Sequence, residues 1–385
     1  MEFIHYFVKC TIHFLLHFFW FFPIVKNRVI LLNELSFKYG DNLKYLNEYI
    51  KKNHPKKYEV IFPLSDEKEA QIHDLRFVKP FSVKYFRYLL TSAVIITNAG
   101  GISYLPIRKK QLVINTWHGG GPYKKTGGAV FQGKWYLKEL KMQRANTSYI
   151  LSSCEYFSKL EASGMLFGLD DCVPSGLPRN DIFFDSSLSL RRKVLDFFGL
   201  DGSEKIILFA PTFRSNTKDF TASKKYHVSD IDYEHLLSCI TEKFGGRWRL
   251  ALRLHPKLKD VEVDVSDALN FTSYPDMQEL LYAADIVITD YSSLMWDFSF
   301  TGRPCFLYAD DIDAYEKERG FYMASSKWPY PIARTNDELD RNICSFDLQA
   351  YQYAVKKHHV ECGSYERGNA CETVVDLIEK HINEE

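Results

Sequence analysis

The 385-residue chain predicts an α/β protein with two doubly wound parallel sheets in tandem behind an apolar N-terminal helix. Three observations carry that reading. Short, β-branched apolar runs alternate with helical stretches, which is the signature of βαβ units and a parallel sheet. The alternation stops at a polar stretch and starts again, so there are two series. The segments richest in glycine, histidine, arginine and serine directly follow strands, where open α/β sheets carry their ligands.

The first series runs through "RVILLNE" (28–34), "YEVIF" (58–62), "AVIITN" (93–98), "QLVINTW" (111–117) and "SYILSS" (148–153). Helical stretches such as "GDNLKYLNEYIKKNH" (40–54) separate these runs. The polar stretch 185–192 follows. The second series is "KIILFAP" (205–211), "WRLALRLHP" (248–256), "DIVITDYSS" (285–293) and "RPCFLY" (303–308). Two such sheets are expected to face one another across a cleft, with ligands at the carboxyl ends of the strands.

The first 25 residues, "MEFIHYFVKCTIHFLLHFFWFFPIV", stand apart. They lack the basic start and small-residue cleavage site of a signal peptide. His5, Lys9, His13 and His17 recur every four residues and form a polar edge, while aromatic and aliphatic residues cover the rest. Lys9 and the histidines interrupt the ~20 apolar residues a membrane span needs. The expectation is a helix lying in a membrane interface with Trp20 at headgroup level; packing on the protein's own core is the other reading.

Composition narrows the function classes. Lys plus Arg equal Asp plus Glu, 49 against 49, so no global field attracts nucleic acid. The eight cysteines are scattered without a CxxC pair, which argues against structural zinc and for a reducing compartment. Asp310, Asp311 and Asp313 are the one dense acidic group, read as a loop, and no metal or cofactor is expected.

Each strand-end loop suits anion chemistry. In "NTWHGGGPYKKTG" (115–127), His118 is a natural general base at neutral pH. Gly119 and Gly120 allow close backbone approach, and Lys124 and Lys125 could hold an anionic acceptor. "APTFR" offers Thr212 and Arg214, arginine being the side chain best suited to bidentate phosphate contact. "LRLHP" offers Arg253, equally readable as a structural ion-pair partner, and His255, positioned to donate a proton or hydrogen bond to a leaving phosphate. "TDYSSLMWDF" places Ser292 and Ser293 at a helix start, with Asp297 one turn beyond and within reach of a ribose.

Together these loops resemble the CDP-glycerol glycerophosphotransferase family of teichoic-acid and capsule synthesis. "WHGGGPYKKTG" is similar to that family's Trp-His-Gly-Thr-Pro segment with following lysines. "GLPRNDIF" (176–183), "FAPTFR" (209–214), "RLHP" (253–256), "TDYSSLMWDF" (289–298) and "RPCFLYADDIDAYEKERGFY" (303–322) match further segments in order, and "GDN" (40–42) matches its N-terminal domain.

The resemblance implies a GT-B fold of two Rossmann-like domains. On that pattern 1–25 is the membrane-interface helix, 26–185 the acceptor domain and 186–385 the CDP-donor domain, with the last helix free to return to the first. It implies transfer of a polyol phosphate from a CDP-alditol, CDP-glycerol or CDP-ribitol, to a hydroxyl of a lipid-linked glycan, releasing CMP at the inner membrane surface. His118 matches the family's proposed base and His255 its donor-phosphate histidine; Arg214, Ser292 and Ser293 match the lining of the CDP site. One departure stands beside the base, Gly120-Gly121-Pro122 where the family has Thr-Pro. The compact length favours a single-addition enzyme, with a compact polymerase also open. Two rivals are a glycosyltransferase of the same architecture using a nucleotide sugar and a non-catalytic binding protein on a membrane.

Overall fold

The computed structural model describes residues 2–187, 189–212, 231–254 and 268–384. They form two compact units, Met1–Phe184 with Cys362–Glu385, and Asp185–Glu361.

The first unit is built on a seven-stranded sheet: β1 (Val25–Leu32), β2 (Glu59–Pro63), β3 (Phe77–Val78), β4 (Ser92–Thr97), β5 (Leu112–Asn115), β6 (Tyr149–Ser152) and β7 (Cys172–Pro174). Its order is β3-β2-β1-β4-β5-β6-β7, and the paired strands are parallel. The chain therefore winds outward from β1 in one direction and then from β4 in the other. Sequence reasoning placed five of these strands. The two it passed over, β3 and β7, are edge strands too short to show a period.

Residues in β1 and β4 are covered on both faces, which is why they read as unbroken apolar runs rather than alternating ones. Val29, Ile30, Leu31, Val94, Ile95 and Ile96 are all fully buried. Each such side chain is worth about 1.5–3 kcal/mol relative to exposure. Helix α2 (Asp41–Asn53) follows β1, and the C-terminal helix α13 (Ala370–Glu384) packs beside it in this same unit.

Helix α1 (Glu2–Leu16) also belongs here. Leu16 enters the core, and Ile12 and Phe19 pack against it. From Lys9 onward the polar edge turns toward the protein: Lys9 pairs with Glu139, and His13 lies edge-on to His17 and beside the backbone of Tyr104 and Leu105, while His5 is exposed. Phe3, Ile4, Phe7, Val8, Phe14, Leu15, Phe18 and Phe21 are exposed. Trp20 is exposed as well, and its indole N–H donates to the Pro106 carbonyl at 2.7 Å. Among the described residues, no helix is long and apolar enough to cross a membrane.

The second unit has a six-stranded parallel sheet: β8 (Lys205–Phe209), β9 (Trp248–Leu252), β10 (Leu269–Asn270), β11 (Ile286–Thr289), β12 (Cys305–Tyr308) and β13 (Ile332–Ala333). The order β10-β9-β8-β11-β12-β13 repeats the first unit's logic, winding outward from β8 and then from β11. Each sheet thus has one topological switch point, between β1 and β4 and between β8 and β11. Ligands of open α/β sheets bind at the carboxyl ends of the strands there.

Candidate active site

At the first switch point the carboxyl ends of β1 and β4 are tied by amides. Asn98, just past β4, donates to Asn33 Oδ1 at 3.0 Å and accepts from the Glu34 N–H at 3.1 Å. Glu34 is half-buried; its carboxylate accepts from Thr97 Oγ1 and the Gly101 N–H, and desolvation pushes it above the usual carboxylate range. Asn98 has 0% exposure, so every polar atom it carries needs a partner inside the protein.

His118 is held from both ends. Its Nδ1 lies 2.9 Å from the Asn98 carbonyl oxygen. A carbonyl can only accept, so Nδ1 carries the proton and Nε2 the lone pair in the neutral ring. The His118 carbonyl in turn accepts from Arg179 Nη1 at 2.9 Å. Both holders meet at one carboxylate: Asp41 accepts from Asn98 Nδ2 and from Arg179 Nη1, each at 2.7 Å. Asp41, Asn98, His118 and Arg179 therefore close a ring. Each of the four comes from a different part of the chain.

Neighbours stiffen that ring. Asn42, beside Asp41 at the start of α2, donates to the Trp117 carbonyl at 2.9 Å and accepts from the Arg179 N–H at 3.2 Å. Glu366 accepts from Leu177 N–H at 3.1 Å and Asn180 Nδ2 at 3.0 Å, fixing the loop that carries Arg179. Gly176 in that loop has φ +77°, and a Cβ there would lie 3.1 Å from the Glu366 Cα and nearer still to its carboxylate. Glycine is required at that position.

Trp117 has φ +55°, a left-handed conformation that is uncommon for a bulky residue. Such an outlier costs on the order of 1–3 kcal/mol and persists where the surroundings over-determine it. Here the Trp117 indole N–H donates to buried Glu161 at 2.9 Å, and its ring centroid lies 4.2 Å from that of His118. The next turn is secured by Gly121, φ +71°, whose N–H donates to Ser153 Oγ at 3.1 Å. Gly119, Lys124 and Lys125 are half-buried along the same loop, and Gly120 is buried.

The second switch point has a simpler clamp. Asp290, just past β11 and 2% exposed, accepts from the Thr212 N–H at 2.7 Å and from Thr212 Oγ1 at 2.5 Å. Thr212 follows β8, so this pair closes the sheet at its switch point. Helix α9 (Leu294–Ser299) follows β11, with Ser292 and Ser293 half-buried at its start. Ser293 is its N-cap residue and makes no capping bond through its side chain among the described residues.

Two sequence-chosen residues of this unit turn inward. The Arg253 Nη1 donates to the carbonyls of Phe271 at 3.0 Å, Thr272, and Tyr274 at 2.7 Å, bracing the turn after β10. Burial pushes its guanidinium below the usual arginine range. Asp297, expected near a ribose, is 2% exposed and accepts from Gln278 Nε2 at 2.8 Å. Arg214 and His255 lie outside the described residues. The acidic group is dispersed: Asp311 accepts from the Tyr291 hydroxyl, while Asp313 pairs with Arg334 at 2.9 Å.

Sequence reasoning singled out His118 but assigned no role to its holders. "GDN" and "GLPRND" were visible as segments, yet only the fold shows that Asp41 and Arg179 grip one histidine. Asn98 had no signal beyond ending an apolar run. Chemically, the ring presents an imidazole of fixed tautomer at the carboxyl edge of a sheet, suited to take a proton from a hydroxyl.

Residues 14–380 match the family described as CDP-Glycerol:Poly(glycerophosphate) glycerophosphotransferase, and the chain belongs to that family. It is 28% identical over 381 residues to the teichoic acid poly(glycerol phosphate) polymerase of Staphylococcus epidermidis, with 94% of this chain and 52% of the relative covered. The chain thus spans about half the length of that relative. It is 27% identical over 371 residues to the teichoic acid glycerol-phosphate transferase of Staphylococcus aureus, covering 89% of this chain and 90% of the relative. A solved structure of the wall teichoic acid polymerase TagF superposes with a TM-score of 0.80 at 26% identity, over 94% of this chain and 90% of the other.

Proposed function

We propose that this member of the glycerophosphotransferase family moves a polyol phosphate, glycerol phosphate being the expected unit, from a CDP-alditol to an acceptor hydroxyl in teichoic-acid or capsule-like polymer synthesis. The observation that carries the reading is the closed ring around His118, within a chain whose relatives are teichoic acid transferases and polymerases.

In this reading His118 Nε2 takes the proton of the acceptor hydroxyl as its oxygen attacks the polyol-proximal phosphorus. The bond from that phosphorus to the CMP oxygen breaks, and CMP leaves with the developing negative charge. Thr212, Ser292, Ser293, Arg214 and His255 receive that charge, with Asp290 holding Thr212 and with Arg253 and Asp297 also on the donor side. Positioning and electrostatic stabilisation make up most of what phosphoryl transfer requires. Lys124 and Lys125 with Gly119 and Gly120 form the acceptor side.

The fold is of the GT-B type, and the first 25 residues lie on the cytoplasmic face of the membrane beside a lipid-linked glycan acceptor. The exposed aromatic and aliphatic residues of α1 support that attachment, since such a face gains by burial at the headgroup boundary.

The test is mass spectrometry of products from CDP-glycerol and CDP-ribitol, each given a short lipid-linked acceptor analogue. Release of CMP with an acceptor heavier by one polyol phosphate is the expected result, and a ladder of additions would identify a polymerase. Transfer from a nucleotide sugar, with neither CDP-alditol consumed, would replace this reading with a glycosyltransferase.

A further inference from the structure

Away from the switch point, the second unit brings together three different metal-ligating side chains. Helix α7 (Tyr233–Phe244) carries His235 and Cys239, four residues apart and therefore on one face. Helix α11 (Asn336–Cys344) packs beside it and carries Asp340. The His235 Nε2 lies 2.6 Å from Asp340 Oδ2 and 3.6 Å from Cys239 Sγ. All three ligand atoms lie within 4.8 Å of one another. The sequence showed no pattern for this, because one helix supplies two ligands and a distant helix the third.

We propose that His235, Cys239 and Asp340 form a zinc site that clamps α7 to α11.

The geometry fits a tetrahedral ion. Zinc–sulfur and zinc–nitrogen bonds of about 2.3 and 2.05 Å at a tetrahedral angle put the two ligand atoms about 3.6 Å apart, the separation found between Cys239 and His235. The same arithmetic asks His235 and Asp340 to separate to about 3.4 Å, so their present hydrogen bond opens as the ion enters. His235 is 56% exposed along its side chain and Asp340 21%, leaving an open side for entry and for a water as fourth ligand. The mixed thiolate, imidazole and carboxylate set selects zinc over magnesium or calcium, which prefer all-oxygen shells.

The exchange balances simply. Burial and the neighbouring Asp340 push the Cys239 thiol up to about 11, so it is protonated at neutral pH without a metal. Zinc takes the sulfur and the thiol proton leaves to solvent. The proton that His235 Nε2 donates to Asp340 also leaves, either by the neutral ring taking the Nδ1–H tautomer or by an imidazolium releasing it to solvent, and Nε2 then offers its lone pair to the ion.

Cobalt(II) titration of chelator-treated, full-length protein tests this directly, because a cobalt–thiolate bond gives a charge-transfer band and a tetrahedral site gives intense visible bands. The expected result is one equivalent bound and displaced by zinc. The Cys239→Ser variant loses the charge-transfer band, and His235→Ala, at an exposed position that leaves the fold intact, binds about tenfold or more weakly. Zinc raises the melting temperature of the wild type and not of His235→Ala. Absence of the band in the wild type overturns the site, as does a band unchanged in Cys239→Ser or wild-type affinity in His235→Ala. Those results would leave an ordinary His235–Asp340 pair with a bystander thiol.

Discussion

The two switch points of this molecule solve one problem with different amounts of machinery. Both bring a carboxylate to the point where two central strands diverge, half-buried for Asp41 and buried for Asp290. In the second unit Asp290 grips a single residue, Thr212, and the sheet is closed. In the first, Asp41 divides its two oxygens between Asn98 and Arg179, and both continue to His118. A clamp that only closes a sheet needs one partner. A ring that fixes the tautomer, backbone and register of one imidazole is more than stability requires, and under the proposed function that surplus belongs to the chemistry.

Breaking the ring at its centre gives the largest effect. Under the proposed function His118→Ala removes a general base, a contribution of about 10²–10⁴ in rate, so kcat falls by that factor while CDP affinity is retained; steady-state CMP release reads the first and calorimetry the second. Asp41→Asn strikes one step away. It leaves the guanidinium of Arg179, 7% exposed, without its carboxylate, a loss of about 3–5 kcal/mol for a broken buried pair. Thermal melts of this variant should fall well below wild type. A rate that survives in Asp41→Asn would mean that the ring serves the fold alone.

In the second unit the corresponding effects are smaller. His358, 3% exposed, is pushed by burial from its ordinary 6.5 down to about 4, against a weaker opposing pull from Glu361. The folded state therefore favours the neutral ring. The unfolded chain takes up this proton first as pH falls, so this stability is full above about 6.5 and is lost between 6.5 and 4, by at most about 3 kcal/mol. Melts across that range should slope down in the wild type and flatten in His358→Gln. Thr212→Val removes one donor to Asp290 while the backbone N–H remains, costing about 1–3 kcal/mol and raising the donor KM more than it lowers kcat. Equal kinetic damage from Thr212→Val and His118→Ala would erase the distinction between the two switch points.

The contrast also explains what could be read from the sequence. The central strands were legible because burial on both faces forces unbroken β-branched runs, as in Ser92–Thr97. The edge strands β3, β7, β10 and β13 run two or three residues each, too few for any period. Strand ends were drawn too long wherever an apolar run continued into a loop, as at 285–293 against Ile286–Thr289. His118 was legible from its residue type and place, whereas Asp41, Asn98 and Arg179 act through hydrogen bonds spanning 20 to 138 positions, which no local pattern encodes. Arg253 and Asp297 looked like ligand contacts because charge at a strand end or helix start suggests solvent. Backbone carbonyls and Gln278 claim them instead.

The most direct test of the central claim pairs two measurements on His118→Ala: CDP binding by calorimetry and CMP release from CDP-glycerol in the presence of acceptor. Wild-type CDP affinity with release reduced by about a thousandfold is the expected result for a lost general base on the acceptor side. Turnover near the wild-type rate would contradict it, and so would loss of CDP binding, which would move His118 to the donor.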